Sequence, residues 1–100
     1  MMKIIKTAVA GTLESSDCMV TIEPAEKGLT IELESAVIRQ YGRRIRQVAS
    51  ETLKRLGVRN ARVSIVDKGA LDCTIKARIE CAAARASEFE GRINWGGDIR

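Results

Sequence analysis

Glu14-Ser15-Ser16-Asp17 sets two hydroxyls between two carboxylates. The run before it, Ala8-Val9-Ala10-Gly11-Thr12-Leu13, is small and apolar, which suits a strand that displays a hydroxyl at its end. Gly11 marks a bulge or a place where another backbone comes close. The chain contains no histidine, so a Ser-His-Asp triad is impossible. A serine without an adjacent base is a weak nucleophile at neutral pH. A reactive serine here is therefore an attachment point, or it borrows its base from another protein. Glu-Ser-Ser-Asp is equally a good hairpin loop, because Ser and Asp hydrogen-bond to turn backbone. The residues alone leave both readings open and do not choose between Ser15 and Ser16.

The elements that position these residues follow from periodicity. Lys3 to Leu13 reads as a strand with Ile5, Thr7, Val9, Gly11 and Leu13 on one side. Asp17 to Glu23 continues after the turn, with Cys18, Val20 and Ile22 alternating against polar neighbours. Pro24 ends that strand, since it cannot donate to a ladder. Leu29 to Glu34 is a third strand, with Leu29, Ile31 and Leu33 facing inward, and the short links suggest an antiparallel meander. Ser35 is a suitable N-cap for a helix that carries Val37, Ile38, Tyr41, Ile45, Val48, Ala49, Thr52, Leu53 and Leu56 on one face. Gly57 is its stop. The other face carries Arg39, Arg43, Arg44, Arg46, Lys54 and Arg55. It is either a solvated face or a surface for a protein partner or cofactor phosphates. Arg59 to Asp67 is a fourth strand, and Asp67-Lys68-Gly69 makes a turn. A second helix from Ala70 to about Ser87 has the stripe Leu71, Ile75, Ile79, Ala82, Ala83 and Ala86, with Asp72 as a helix-end charge. After Glu88 the pattern dissolves, and a mobile tail with Phe89, Ile93 and Trp95 is expected.

The bulk numbers narrow the function. One hundred residues make one domain with a modest core, and with only 3% aromatics that core must be Ile, Val, Leu and Ala. No run is long enough to span a bilayer, and Met-Met-Lys-Ile-Ile-Lys-Thr is too short for a signal segment, so no membrane and a cytoplasmic location are expected. Cys18, Cys73 and Cys81 are odd in number and lack Cys-x-x-Cys spacing. With no histidine they give no zinc set, and no metal is expected. They are expected to be reduced, with Cys73 and Cys81 packing as small apolar groups on one helix. The net charge of +4 permits an anionic partner, but with almost no stacking aromatics nucleic acid is not the expected one.

Ala-Gly-Thr-Leu-Glu-Ser-Ser-Asp, together with Asp-Lys-Gly-Ala-Leu-Asp-Cys at 67–73 and Ala-Arg-Ala-Ser at 84–87, resembles the citrate lyase acyl carrier proteins, the gamma subunits of that enzyme. The similarity runs from about Lys3 to Ser87. It implies that the serine directly after Leu-Glu, here Ser15, carries 2'-(5''-phosphoribosyl)-3'-dephospho-coenzyme A through a phosphodiester. It further implies a non-catalytic carrier that presents acetyl and citryl thioesters to the transferase (alpha) and lyase (beta) subunits, after loading by a prosthetic-group transferase. The overall products are oxaloacetate and acetate. The carrier subunit of malonate decarboxylase resembles this family and uses the same type of arm, so it is the alternative, beside a plain protein-binding module.

The expected fold is therefore α+β: a two-layer β-β-β-α-β-α domain over 1–87, with a mainly antiparallel sheet of about four strands and two helices on one face, followed by the tail 88–100.

Overall fold

A computed structural model describes residues 2–35 and 38–87. The expected tail 88–100, including Trp95, lies outside the described residues, as does Val37. The element order is β1 (Ala8–Gly11), β2 (Cys18–Pro24), β3 (Leu29–Ser35), α1 (Ile38–Leu56), β4 (Ala61–Asp67) and α2 (Asp72–Ala86). The α+β class, the element order and the four-stranded sheet agree with the sequence reading.

The meander does not form. The sheet order is β1-β2-β4-β3, so β4 lies between β2 and β3. β4 pairs antiparallel with β2 from Cys18↔Asp67 to Pro24↔Ala61 and parallel with β3 from Leu29↔Ala61 to Ser35↔Asp67. A parallel neighbour requires a crossover, and α1, roughly 28 Å long at 1.5 Å per residue, returns the chain to the start of β3's partner. Burial explains the choice. Val63 and Ile65 on β4 are fully buried, whereas Leu29, Ile31 and Leu33 are only partly covered. The strand with the stronger apolar face takes the central position.

Helix α2 lies over β1 and β2, and α1 lies over β3 and against α2. Val20, Ile22, Val63 and Ile65 from the sheet meet Leu53, Ile75, Ile79 and the alanines 82, 83 and 86. Alanines at these positions let α2 approach the sheet closely. α1 stops at Gly57, where the Gly57 N–H donates to Lys54 O (3.0 Å) and the Val58 N–H to Leu53 O (3.0 Å), a Schellman pair. Arg55 on α1 reaches the buried Glu80 on α2 at 2.6 Å. Each edge strand has an arginine on an outward carbonyl: Arg85 donates to Val9 O (2.8 Å) and Arg46 to Ile31 O (2.9 Å). Charged side chains on open edges discourage pairing with other chains.

Three local expectations are corrected. The segment 3–13 is not one strand. Ile4 bridges to Ser87, and Ile5 and Lys6 N–H groups donate to Ala86 O, so the N-terminus ties down the end of α2 before β1 begins. Its inward residues are Met2, Ile4 and Ala10, while Ile5, Val9 and Leu13 are exposed. α2 begins at Asp72 rather than Ala70, which leaves Leu71 71% exposed instead of in the stripe, and Tyr41 on α1 is also exposed at 55%. Cys73, in the first turn of α2, is exposed rather than packed, while Cys81 is half-buried against the core. Among the described residues no helix is long and apolar enough to cross a membrane.

Candidate functional site: the Ser15 turn

Glu14 O accepts the Asp17 N–H at 3.2 Å, closing a four-residue turn with Ser15 and Ser16 at its centre. Ser16 has φ 66°, the only non-glycine positive φ among the described residues, while Ser15 does not share it. A positive φ at the third position alone is the pattern of a type II turn, usually met by glycine or asparagine. A serine there costs on the order of 1 kcal/mol, so the surroundings must hold it. The Ser16 N–H donates to Lys68 O (2.8 Å), and the Lys68 N–H donates to Asp17 O (2.9 Å). These bonds carry the β2–β4 pairing beyond its last strand pair and fix the turn to the β4–α2 loop.

Asp17 is the anchor. Its Oδ2 accepts from Thr12 Oγ1 (2.7 Å) and Arg78 Nη2 (2.8 Å), and its Oδ1 accepts from Arg78 Nε (3.0 Å) and its neighbour's N–H at Cys18 (2.7 Å). The two-pronged arginine bond, then Thr12, then the Cys18 N–H hold the Asp17 carboxyl far below the usual carboxylate range. The side chain is only 13% exposed and Arg78 is 38% exposed. Thr12 in turn accepts the Glu14 N–H at 3.2 Å. Thr12, Asp17 and Arg78 thus form one network that joins the hairpin to α2.

Gly11 is a position of close approach. It has φ 101°, and a Cβ built on it would lie 1.9 Å from Cys18 O and 3.2 Å from Arg78 Cδ. The Thr12 N–H donates to that same Cys18 O at 3.2 Å. Cys18 itself is buried, and burial pushes its thiol up to about 11, so it stays neutral and apolar.

The β4–α2 loop is shaped by Asp67. This buried carboxylate accepts from Ser35 Oγ (2.9 Å), the Gly69 N–H (3.2 Å) and the Ala70 N–H (2.9 Å). A side chain that takes backbone N–H groups one turn ahead competes with helix formation, which is why α2 starts late.

The outcome for the sequence candidates is mixed. Ser15 and Ser16 are both exposed, and neither hydroxyl has a hydrogen-bond partner among the described residues. An open tip can take a bulky phosphodiester without displacing a neighbour. Glu14 is exposed, but Asp17 is committed to Arg78 and makes a poor general base. Of the basic residues on α1, Arg44 pairs with Asp72 (2.7 Å), Arg46 holds Ile31 O and Arg55 holds Glu80. Arg43 and Lys54 are exposed, and the side chain of Arg39 lies outside the described residues. Arg78 went unseen in the sequence. The available signal was its place three residues after Ile75 and four before Ala82, on the flank of the α2 stripe, where an arginine needs an acid partner.

The family model described as "Malonate decarboxylase delta subunit" matches residues 5–86. The citrate lyase acyl carrier protein of Streptococcus uberis is 60% identical over 94 residues, covering 94% of this chain and 92% of its own length. Citrate lyase acyl carrier protein 2 of Salmonella typhimurium is 56% identical over 95 residues, covering 94% of this chain and 97% of its own. A chain in the crystal structure of a Pseudomonas malonate decarboxylase hetero-tetramer in complex with malonate has the same fold, with TM-score 0.68 and 22% identity over 86% of this chain and 92% of that one. The high identities over nearly the whole of both chains fall on one family: this chain belongs to the citrate lyase acyl carrier protein family.

Proposed function

We propose that this chain is the acyl carrier subunit of a cytoplasmic citrate lyase and that Ser15 Oγ is the attachment point of 2'-(5''-phosphoribosyl)-3'-dephospho-coenzyme A, joined through a phosphodiester. The observation that carries the reading is the meeting of two sequence segments far apart in the chain. The Ser15 turn and the Asp67–Cys73 segment are hydrogen-bonded at one end of the sheet, with both hydroxyls in the open. When bound, the group supplies a thiol for acyl transfer between the transferase and lyase subunits.

The chain's own residues supply position. Asp17, Thr12 and Arg78 fix the base of the turn, and the Ser16 backbone is fastened to Lys68, which holds both hydroxyls in the open; the Leu13-Glu14-Ser15 motif is what selects Ser15. The chain has no histidine to deprotonate it, and Asp17 is held in its ion pair. A separate transferase therefore supplies the base and the specificity. Tethering keeps an acyl group at an effective concentration near millimolar at each partner's active site.

The test is co-expression of wild type, Ser15→Ala and Ser16→Ala with the modifying enzymes, followed by intact mass. Wild type and Ser16→Ala should gain the mass of the arm, and Ser15→Ala should not. An arm on Ser15→Ala would falsify the assignment.

A second reading, the carrier of malonate decarboxylase, is favoured by the family model's description. Reconstituting the loaded chain with citrate lyase or malonate decarboxylase subunits separates the two. Turnover of citrate alone supports the first, and turnover of malonate alone replaces it.

A further inference from the structure

We propose that the groove between α1 and the β4–α2 loop is a resting site for the tethered arm, occupied when no partner subunit is engaged. This rests on Ser15 as the point of attachment. The groove encloses about 720 Å³ and is walled by Tyr41, Arg44, Ile45, Ala70, Leu71 and Cys73. That volume falls within the range of small-molecule sites.

Three observations lead there. First, Leu71 and Tyr41 are the two most exposed large apolar side chains among the described residues, and both line this one groove. The sequence pattern put both in the core, yet the fold leaves them facing a shared space. Secondly, the groove begins where the attachment turn is fastened. Ser16 N–H is bonded to Lys68 O, and Gly69 and Ala70, next in the chain, already line the groove. Thirdly, its mainly apolar wall suits a chain of methylenes and amides. Tyr41, Ile45 and Leu71 offer apolar contact, while Arg44 at the wall is paired with Asp72, which also lines the groove. Of the two carboxylates at the groove, Asp67 is committed to three donors and Asp72 is neutralised by Arg44.

Tethering makes weak contact sufficient. With an effective concentration near millimolar, a site of millimolar affinity is occupied a substantial part of the time yet releases the arm readily to a partner. Such a site withdraws the acyl end from water between transfers.

Cys73 is a built-in reporter, because it is exposed on the groove wall while Cys18 is buried. The experiment compares the rate at which iodoacetamide alkylates Cys73 in arm-free chain and in chain whose arm is present by intact mass and capped by acetylation. Peptide mapping follows each cysteine. Loading should slow Cys73 roughly twofold, as expected for a site filled about half of the time. Leu71→Asn should return the loaded-to-free ratio to one. This variant keeps the fold, since Leu71 occupies the uncapped N-cap of α2 and asparagine is a favoured residue there. Equal rates with the arm's mass present overturn the resting site and leave the carrier reading standing. No gain of mass overturns the carrier reading and the resting site together.

Discussion

The two connections at opposite ends of β2 are both exposed, but they are held in different ways. The one before it, Thr12–Asp17, is fastened by the Asp17–Arg78 pair, by Thr12 and by two backbone bonds to Lys68. The one after it, residues 25–28, is held through Gly28, whose N–H donates to Asn60 Oδ1 (2.9 Å) and whose carbonyl accepts from the Ala61 N–H (3.1 Å). A loop that is not buried cannot be ordered by apolar packing. The first connection is ordered by a polar network instead, with bonds directed from α2 and from the β4–α2 loop. The second needs only to reverse the chain. Precision at an exposed position has to be built from directed bonds, and the fold concentrates them where the hydroxyl is displayed.

The glycines offer the sharpest way to break this contrast. Gly11→Ala would drive a Cβ into Cys18 O in a backbone conformation that L-residues avoid, and more than about 3 kcal/mol of stability should be lost. Gly28→Ala has a similar positive φ but nothing within 4 Å, so a loss of about 1 kcal/mol is expected. Urea denaturation of both variants checks this, and equal losses would mean that the two ends are equally tight.

The next effect concerns rate. Replacing Arg78 with Met leaves Asp17 without its two-pronged partner and loosens the turn. The transferase's kcat/KM for loading Ser15 should fall roughly tenfold or more, as misplacement of a reacting group does. Arg78→Lys should recover part of the loss. Asn60→Ala, at the opposite connection, should load at the wild-type rate. Loading of Arg78→Met at the wild-type rate would show that the network orders the turn without positioning the serine.

A pH series isolates the charge in that network. The folded state holds the Asp17 carboxyl below its unfolded value of about 4. Its contribution is therefore present above pH 4 and fades as pH falls below that toward the folded value. Wild type should exceed Asp17→Asn in urea midpoint at pH 7, with the gap closing on the way to pH 2.5. A constant gap would assign the effect to shape rather than charge.

The smallest effect separates the cysteines. In native protein at pH 8.5, Cys73 should react first with a thiol reagent and Cys18 should be silent, because burial raises its thiol to about 11. Between the unfolded value near 8.5–9 and pH 11, ionisation favours the unfolded chain, so stability should decline there. Denatured protein prepared without reductant should titrate three thiols. A reproducible disulfide would contradict the free state of all three.

Much of this was legible in the chain itself. Alternation of Cys18, Val20 and Ile22 specified the inner face of β2, because a period of two admits one solution once one face is buried. Gly57 specified the end of α1, and Gly11 signalled a close approach. Between the two neighbouring serines, the motif Leu13-Glu14-Ser15 points to Ser15 through the family resemblance alone. What periodicity could not reach was every choice made between distant segments. Strand order was one, since β3 and β4 both alternate and only the competition for the buried centre puts β4 there. Leu71 and Tyr41 were others: each fits a helical stripe, yet α2 starts only at Asp72 and both side chains are left exposed. The Asp17–Arg78 pair spans 61 residues and depends on how α2 lies across β1 and β2. A sequence reports which face of an element is apolar, because that is a local repeat. It does not report which charged side chain will face which, because that depends on the angles at which finished elements pack.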